Sequence, residues 1–234
     1  MLRTLGIIGA RAGSKRVKKK NTRPLGNKPL VEWTIEAGLA AKTLSRLVVS
    51  SDDKEILRIA DAFDKDLSLP RPQELARDTS AAIEYVHHAL EFVERQSGVH
   101  YEAIAIIQPT SPFTLASDID GTIQLLQTTN ADSAVSVMKL DHAIHPLKLK
   151  QLEGDKLIPY LEEENGRMAA HELPELYVRN CSVYVSRRHV IENNEVIGSD
   201  CRAYVMPQER SIDINSELDF AFAEFMLQRM RNAR

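Results

Sequence analysis

Six basic side chains, Arg11, Lys15, Arg16, Lys18, Lys19 and Lys20, fall within ten residues that contain no acid. The segment Gly9-Ala-Arg-Ala-Gly-Ser-Lys-Arg-Val-Lys-Lys-Lys-Asn21 also has small residues, which let a backbone come close to a ligand, and a hydroxyl at Ser14. Cations, a hydroxyl and an approachable backbone are the means by which proteins bind phosphate. The run is not a Walker loop, because no Gly-Lys-Ser/Thr closes it. Its glycines Gly6, Gly9 and Gly13 also lack the G-x-G-x-x-G spacing of a dinucleotide fingerprint. By composition alone, phosphate binding stands against the reading of a solvated basic loop. With these six residues set aside, 24 Lys and Arg face 33 Asp and Glu in the remainder, so a short electropositive segment sits on an acidic body. A nucleic-acid binder needs a long stripe of phosphate contacts, so nucleic acid is not an expected partner; a compact polyanion such as a nucleoside triphosphate is.

What the cluster sits between gives it a place. Residues 3–8 form a short apolar run that reads as a buried strand, and Pro29 opens an amphipathic helix over 30–41 with Leu30, Trp33, Ile35 and Ala37 as core candidates. Further strands are predicted at 46–50, 103–107 and 133–138. Helices are predicted at 54–63, capped by Ser51-Asp-Asp53, at about 81–96, capped by Thr79 and Ser80, and up to about Thr128, where Ser117 and Asp120 resemble a capping box. Strands that are apolar throughout and alternate with helices argue a mostly parallel sheet covered on both faces, hence a three-layer α/β/α fold. Ligands of such sheets bind beyond the carboxyl ends of strands, where residues 9–21, 50–53 and 108–112 fall. The rhythm breaks over 139–177, an inserted arm with short strands around 147–152 and 157–160. The sheet resumes at 180–186 and 201–205, and a last helix over 216–232 offers Leu218, Phe220, Ala221, Phe225 and Met226 to a core.

At 234 residues, one domain over 1–234 is expected, with 139–177 as its arm. A composition of 43% hydrophobic and 27% charged residues excludes disorder and collagen-like repeats. No apolar run reaches the length of a bilayer span and no secretion-signal pattern opens the chain, so neither membrane nor export is expected and the cytoplasm is. Cys181 and Cys201 then read as unpaired, buried or half-buried thiols. Their distance in sequence from His142 and His145 argues against a structural zinc site.

Five segments in order carry a resemblance: Ala10-Arg11-Ala-Gly-Ser14-Lys15 with Lys20-Asn21, then Val49-Ser-Ser-Asp-Asp53, Arg71-Pro-Gln-Glu-Leu-Ala-Arg-Asp78-Thr79, Gln108-Pro-Thr-Ser-Pro112 and Ser211-Ile-Asp213-Ile-Asn215. Together, nearly end to end, they resemble the acylneuraminate cytidylyltransferases, or CMP-sialic acid synthetases. The resemblance implies a Rossmann-like nucleotidyltransferase that couples CTP to a nine-carbon 2-keto sugar acid of sialic, legionaminic or pseudaminic type, releasing pyrophosphate, and that works as a homodimer through its arm. Arg11, Ser14, Lys15 and Lys20 then match positions that hold the triphosphate, with Arg11, Lys20 and Asp213 as the catalytic candidates, and Asn21 one that binds the nucleotide. Arg71, Asp78, Thr79 and Ser80 match the segment beside cytosine and ribose, although Arg71 could instead form a surface salt bridge. Gln108 matches a sugar-facing amide, and Lys148, Arg167, Tyr177 and Asn180 lie in the sugar-side and dimer elements. A magnesium ion is implied at Asp213 and Asn215.

Departures from the family pattern accompany these matches. Asn215 stands where the family has a second Asp, Arg16 and Cys181 stand where it commonly has Gly, and Ala170 and His171 replace an Arg-Gln pair. Lys148 or Arg167 would then supply the cation for the sugar carboxylate. Two other readings stay open: a related transferase for 3-deoxy-manno-octulosonate, and a catalytically silent nucleotide-binding regulator.

Overall fold

Strand β1 (Thr4–Gly9) is buried along its apolar run because both of its faces are covered, which explains the absence of a polar alternation in its sequence. The computed structural model describes residues 2–161 and 173–232. Arg167, Ala170 and His171 lie outside the described residues. After β1 come the minimal hairpin β2 (Pro24–Leu25) and β3 (Lys28–Pro29), then α1 (Leu30–Ala40), β4 (Arg46–Ser51), α2 (Lys54–Phe63), β5 (Ser68–Pro70), α3 (Ala82–Ser97), β6 (Ala103–Ile107), α4 (Ala116–Thr128) and β7 (Ser133–Lys139). The chain continues with the hairpin β8 (Lys150–Glu153) and β9 (Lys156–Pro159), then β10 (Tyr177–Arg187), α5 (Arg188–Glu192), β11 (Cys201–Val205) and α6 (Glu217–Asn232). Seven strands form one sheet in the order β11-β7-β10-β6-β1-β4-β5, in which β10 alone runs antiparallel to its neighbours. The expected mostly parallel α/β architecture is therefore present.

The alternation of side chains in β1 divides the core. Ile8, with Val49, Ala105, Ile107 and Val183, packs under α1, α2 and α4, whereas Leu5 and Ile7, with Ile104 and Ile106, pack under α3 through Tyr85, Val86, Ala89, Leu90 and Val93. A third cluster joins Val17 of the basic loop, Leu25, Leu30, Phe113, Ile212 and Ile214 to Phe220, Ala223 and Leu227 of α6. This cluster anchors both charged loops to one rigid base.

Several expectations need correction. Thr79 and Ser80 do not cap α3: its N-cap is Ala81, and the Ser80 hydroxyl donates to the Glu74 carbonyl at 3.0 Å while accepting from Arg77 N. Helix α4 starts earlier than expected. Asp118, not Asp120, reaches back to Leu115 N, and Asp120 accepts from the Lys42 and Thr43 backbones. In α6, Phe220 is buried and Met226 half-buried, but Leu218, Ala221 and Phe225 are exposed; Ala223 and Leu227 complete the inward stripe. Leu147 belongs to a single 3-10 turn (Pro146–Lys148) rather than to a strand. Tyr177 opens β10, so the sheet resumes three residues earlier than expected. Strand β5 and the β2–β3 hairpin are too short to produce a period. Cys181 and Cys201 are half-buried and unpaired, as expected.

Candidate functional site

Gly9 ends β1, Ile107 ends β6 and Pro70 ends β5, and the loops that leave these three parallel strands converge on a cavity of about 480 Å³. Its lining includes Arg11, Ser14, Lys15, Arg16, Lys20 and Asn21 from the first loop, Arg71, Arg77, Asp78 and Ser80 from the segment before α3, and Gln108 and Asn215. Residues separated by up to about two hundred positions are thus gathered at one edge, where a parallel sheet exposes the ends of its strands. Two larger hollows, of about 890 and 850 Å³, collect no comparable set of cations. One is lined by apolar groups such as Trp33, Phe113 and Leu227, the other lies at the base of the arm around His145 and Glu175.

The Ser50–Asp53 turn builds the site rather than acting in it. Asp52 accepts from Ala12 N at 2.9 Å and holds the basic loop in place, while Asp53 caps α2 through Glu55 N. Ser50 accepts from Arg71 Nε at 3.0 Å on its hydroxyl and from Nη2 at 2.8 Å on its carbonyl. Arg71 is 7% exposed and its guanidinium stacks on the Tyr85 ring at 4.2 Å, so the surface salt bridge is excluded. Burial is the largest influence on its pKa and lowers it, against the opposing field of Tyr85 and Asp52. Tyr85 is a site residue that sequence reasoning missed. Its ring fills the space above Gly9, where a Cβ would lie 2.6 Å from it, so a glycine closing a strand was the available signal.

Arg11 donates to Asp78 Oδ1 at 2.6 Å, and Lys15 pairs with the other oxygen of that carboxylate. These bonds from Lys15 and Arg11 hold the Asp78 carboxyl below its ordinary range. Lys20 donates from Nζ to the Ile214 carbonyl at 2.6 Å. Burial lowers its pKa most, Arg16 and Arg11 push the same way, and Asp213 and Asp219 oppose them. Asn21 donates to the Arg11 carbonyl at 3.3 Å, while its buried Oδ1 has no partner within the described residues. That leaves an acceptor available to a ligand.

Asp213 does not line the cavity, but its Oδ2 accepts from Asn215 Nδ2 at 2.6 Å, and Asn215 does line it. The loop is fixed from two sides. Ser216 and Asp219 cap α6 reciprocally, and Arg210 pairs with the fully buried Asp118. Ser216 is therefore the cap of α6. Among the described residues no three His, Cys, Asp or Glu side chains form a metal-binding group. Asp213, bonded to the cavity-lining Asn215, contributes one carboxylate next to the cavity, and this fits magnesium, which takes one or two protein carboxylates and completes its shell with phosphate oxygens and water.

Other expected residues lie elsewhere. Thr79 is exposed and does not line the cavity. Lys148 ends the 3-10 turn of the arm, and the Tyr177 hydroxyl donates to Glu175 at 3.2 Å. Asn180 is 3% exposed and serves as scaffold, accepting from the Ser136 hydroxyl at 2.6 Å and donating to Ser211 at 2.8 Å.

The sequence profile of the family described as cytidylyltransferase matches residues 5–197. The CMP-N,N'-diacetyllegionaminic acid synthase of Legionella pneumophila is 31% identical over 229 residues, covering 97% of each chain. The N-acylneuraminate cytidylyltransferase of Escherichia coli is 28% identical over 229 residues, 97% of this chain but 52% of that protein, so the chain spans about half its length. Among solved structures, a CMP:2-keto-3-deoxy-manno-octonic acid synthetase complexed with CTP superposes with a TM-score of 0.71 at 14% identity, covering 97% of this chain and 99% of that one, which shows a shared fold.

Proposed function

The chain belongs to the cytidylyltransferase family, and on that premise we propose that it transfers the cytidylyl group of CTP to a nine-carbon 2-keto sugar acid of the sialic, legionaminic or pseudaminic type. The observation that carries the reading is the cationic cavity at the strand ends. Arg11, Lys15, Arg16, Lys20, Arg71 and Arg77 line it against the single carboxylate of Asp78.

The sugar's anomeric hydroxyl attacks the α-phosphorus and gives up its proton to water, the bond from that phosphorus to the bridging oxygen breaks, and pyrophosphate departs. The protein's part in such a reaction is to position the reactants and neutralise charge. Arg11, Lys15 and Lys20 hold the triphosphate, with Ser14 adding a hydroxyl donor. Asn21 offers its free Oδ1 to the nucleotide, and the Arg71–Tyr85 stack, with Asp78 and Ser80 nearby, forms the base and ribose side. Gln108 turns its amide to the sugar. Asp213 would hold magnesium, with Asn215 as a neutral neighbour, and the ion would neutralise phosphate charge as a Lewis acid.

The arm completes the sugar pocket of a second subunit in a homodimer. In support, Leu152 and Leu157 on the β8–β9 hairpin are 70% and 65% exposed, an apolar surface without cover in one chain. Lys148 or Arg167 then meets the sugar carboxylate, with Tyr177 at the arm's base. No described helix is long and apolar enough to cross a membrane, in keeping with a cytoplasmic enzyme.

Pyrophosphate release measured with CTP, UTP, ATP and GTP across a panel of 2-keto sugar acids tests the whole reading. Turnover is expected with CTP and a nine-carbon acid. Preference for 3-deoxy-manno-octulosonate would select the related transferase, and release with no acid would leave a nucleotide-binding protein without this activity.

A further inference from the structure

Gly9 and Ser50 are register partners on the adjacent strands β1 and β4, and together they seat an aromatic ring beside a guanidinium. Tyr85, in the first turn of α3, lies over Gly9, where a side chain would strike it: a Cβ would meet the phenol oxygen at 2.7 Å. Arg71 follows the end of β5, its backbone N donating to the Ser51 carbonyl at 2.8 Å and its side chain to Ser50. The two groups meet with the guanidinium carbon 4.2 Å from the ring centroid.

The donors of Arg71 are not all engaged. Nε and Nη2 are bound to Ser50, which leaves Nη1 without a partner among the described residues, in a side chain that lines the cavity. A buried guanidinium without a carboxylate partner costs folding free energy and does not supply it. Burial also raises the pKa of the Tyr85 phenol, so the ring stays neutral and offers Arg71 a π face in place of an anion. The positive charge is thus held in place and not neutralised.

We propose that Tyr85 is a positioning residue for the nucleoside half of the substrate: its ring face fixes the Arg71 guanidinium so that Nη1 meets the base, and so sets nucleoside affinity and the choice between pyrimidines. The assignment rests on the CTP reading above. A planar cation held on one face by a ring and along one edge by Ser50 keeps little freedom, so its unbound amino group presents donors at one place. Cytosine offers such donors two adjacent acceptors, a carbonyl oxygen and an unprotonated ring nitrogen. Uracil carries a proton on that nitrogen, and a donor meeting a donor is rejected. Tyr85 acts on the nucleotide only through Arg71.

The test is titration calorimetry with CMP, UMP and inorganic pyrophosphate on wild type, Tyr85→Phe, Tyr85→Leu, Tyr85→Met, Arg71→Ala and the Tyr85→Leu/Arg71→Ala double variant, with KM measured for CTP and for the sugar acid. Tyr85→Leu and Tyr85→Met fill the space without an aromatic face, and either serves if the other fails to fold. Each should weaken CMP about tenfold, the factor that a desolvated cation–π contact carries, and narrow the preference for CMP over UMP. KM for CTP should rise, while pyrophosphate affinity and KM for the sugar acid stay as in wild type. Tyr85→Phe keeps the ring face and should bind CMP within about twofold of wild type. Once Arg71 is absent, Tyr85→Leu should cost nothing more. Wild-type CMP affinity in Tyr85→Leu and Tyr85→Met, a loss in Tyr85→Phe as large as theirs, or additive losses in the double variant would overturn the proposal. So would equal losses of CMP and pyrophosphate, the mark of a merely structural role. Failure of the CTP reading would look different: wild type would bind the four nucleoside monophosphates alike, and the ring-held Arg71 would show as an equal loss for all four in Tyr85→Leu.

Discussion

Arg11 Nη1 lies 2.6 Å from Asp78 Oδ1, so the cation proposed to lead phosphate binding is held by an anion of the same cavity, which Lys15 shares. Both partners of the Arg11 pair are more than a third exposed, and water screens such pairs so strongly that they contribute little to stability. A triphosphate can therefore displace Asp78 at small cost.

Arg11→Ala is expected to lower turnover at least about a hundredfold, because it removes a charge directed at the reacting phosphates. Asp78→Asn, which removes the competing anion but keeps a polar side chain on the ribose side, is expected to tighten CTP binding a few fold, with the gain shrinking at high salt. Steady-state kinetics and calorimetry at two ionic strengths check both. Wild-type turnover in Arg11→Ala would return the basic loop to a solvated surface feature.

Lys20 gives a pH signature. Burial, reinforced by Arg16 and Arg11, lowers its pKa, so the ammonium is lost at a lower pH than an ordinary lysine would require. Binding that depends on the charged form is complete below that lowered pKa and fails as pH rises through it. CTP affinity should thus decline on the alkaline side earlier than a free lysine predicts. Lys20→Arg, which stays charged, should flatten the decline even if it binds more weakly. Identical alkaline profiles for the two proteins would remove Lys20 from the phosphate contacts.

Asp213→Asn should abolish activity, since it takes away the carboxylate that would hold magnesium. Asn215→Asp should lower the magnesium concentration for half-maximal rate, because a hard cation prefers a carboxylate to an amide. Full activity of Asp213→Asn at low magnesium would refute the assignment.

Arg210 ties the Asp213 loop to the N-terminus of α4 through Asp118, which is fully buried. Deleting the cation strands a buried carboxylate, at a cost of about 3 kcal/mol. Arg210→Ala should accordingly melt about 5–10 °C lower in a thermal scan, given the size of the chain. An unchanged melting temperature would mean that water compensates Asp118 fully.

For the arm, a dimer is expected by light scattering, and Arg167→Ala should raise KM for the sugar acid while leaving that for CTP nearly unchanged. A fully active monomer would refute the arm's role. An unchanged sugar KM would leave Lys148 as the cation.

Much of this protein can be read along the chain. Apolar strands and amphipathic helices announce themselves by local period, and the basic loop by composition, so the α/β architecture and the cation-rich edge of its sheet are both legible before folding is considered. Local signals also explain a helix end that is correctly placed, Asp53 before α2, because a cap is a contact over two or three residues. Contacts across the chain leave no such trace. That Tyr85 stands over Gly9, that Asp120 holds the Lys42 and Thr43 backbones while Asp118 holds Arg210, and that Arg16 reaches Asn215 depend on which loops the sheet order brings side by side. The inward stripe of α6 is misread for the same reason: Leu218 and Phe225 are apolar, but the helix turns Phe220, Ala223 and Leu227 toward the third core cluster, and only the position of that cluster decides which face is buried.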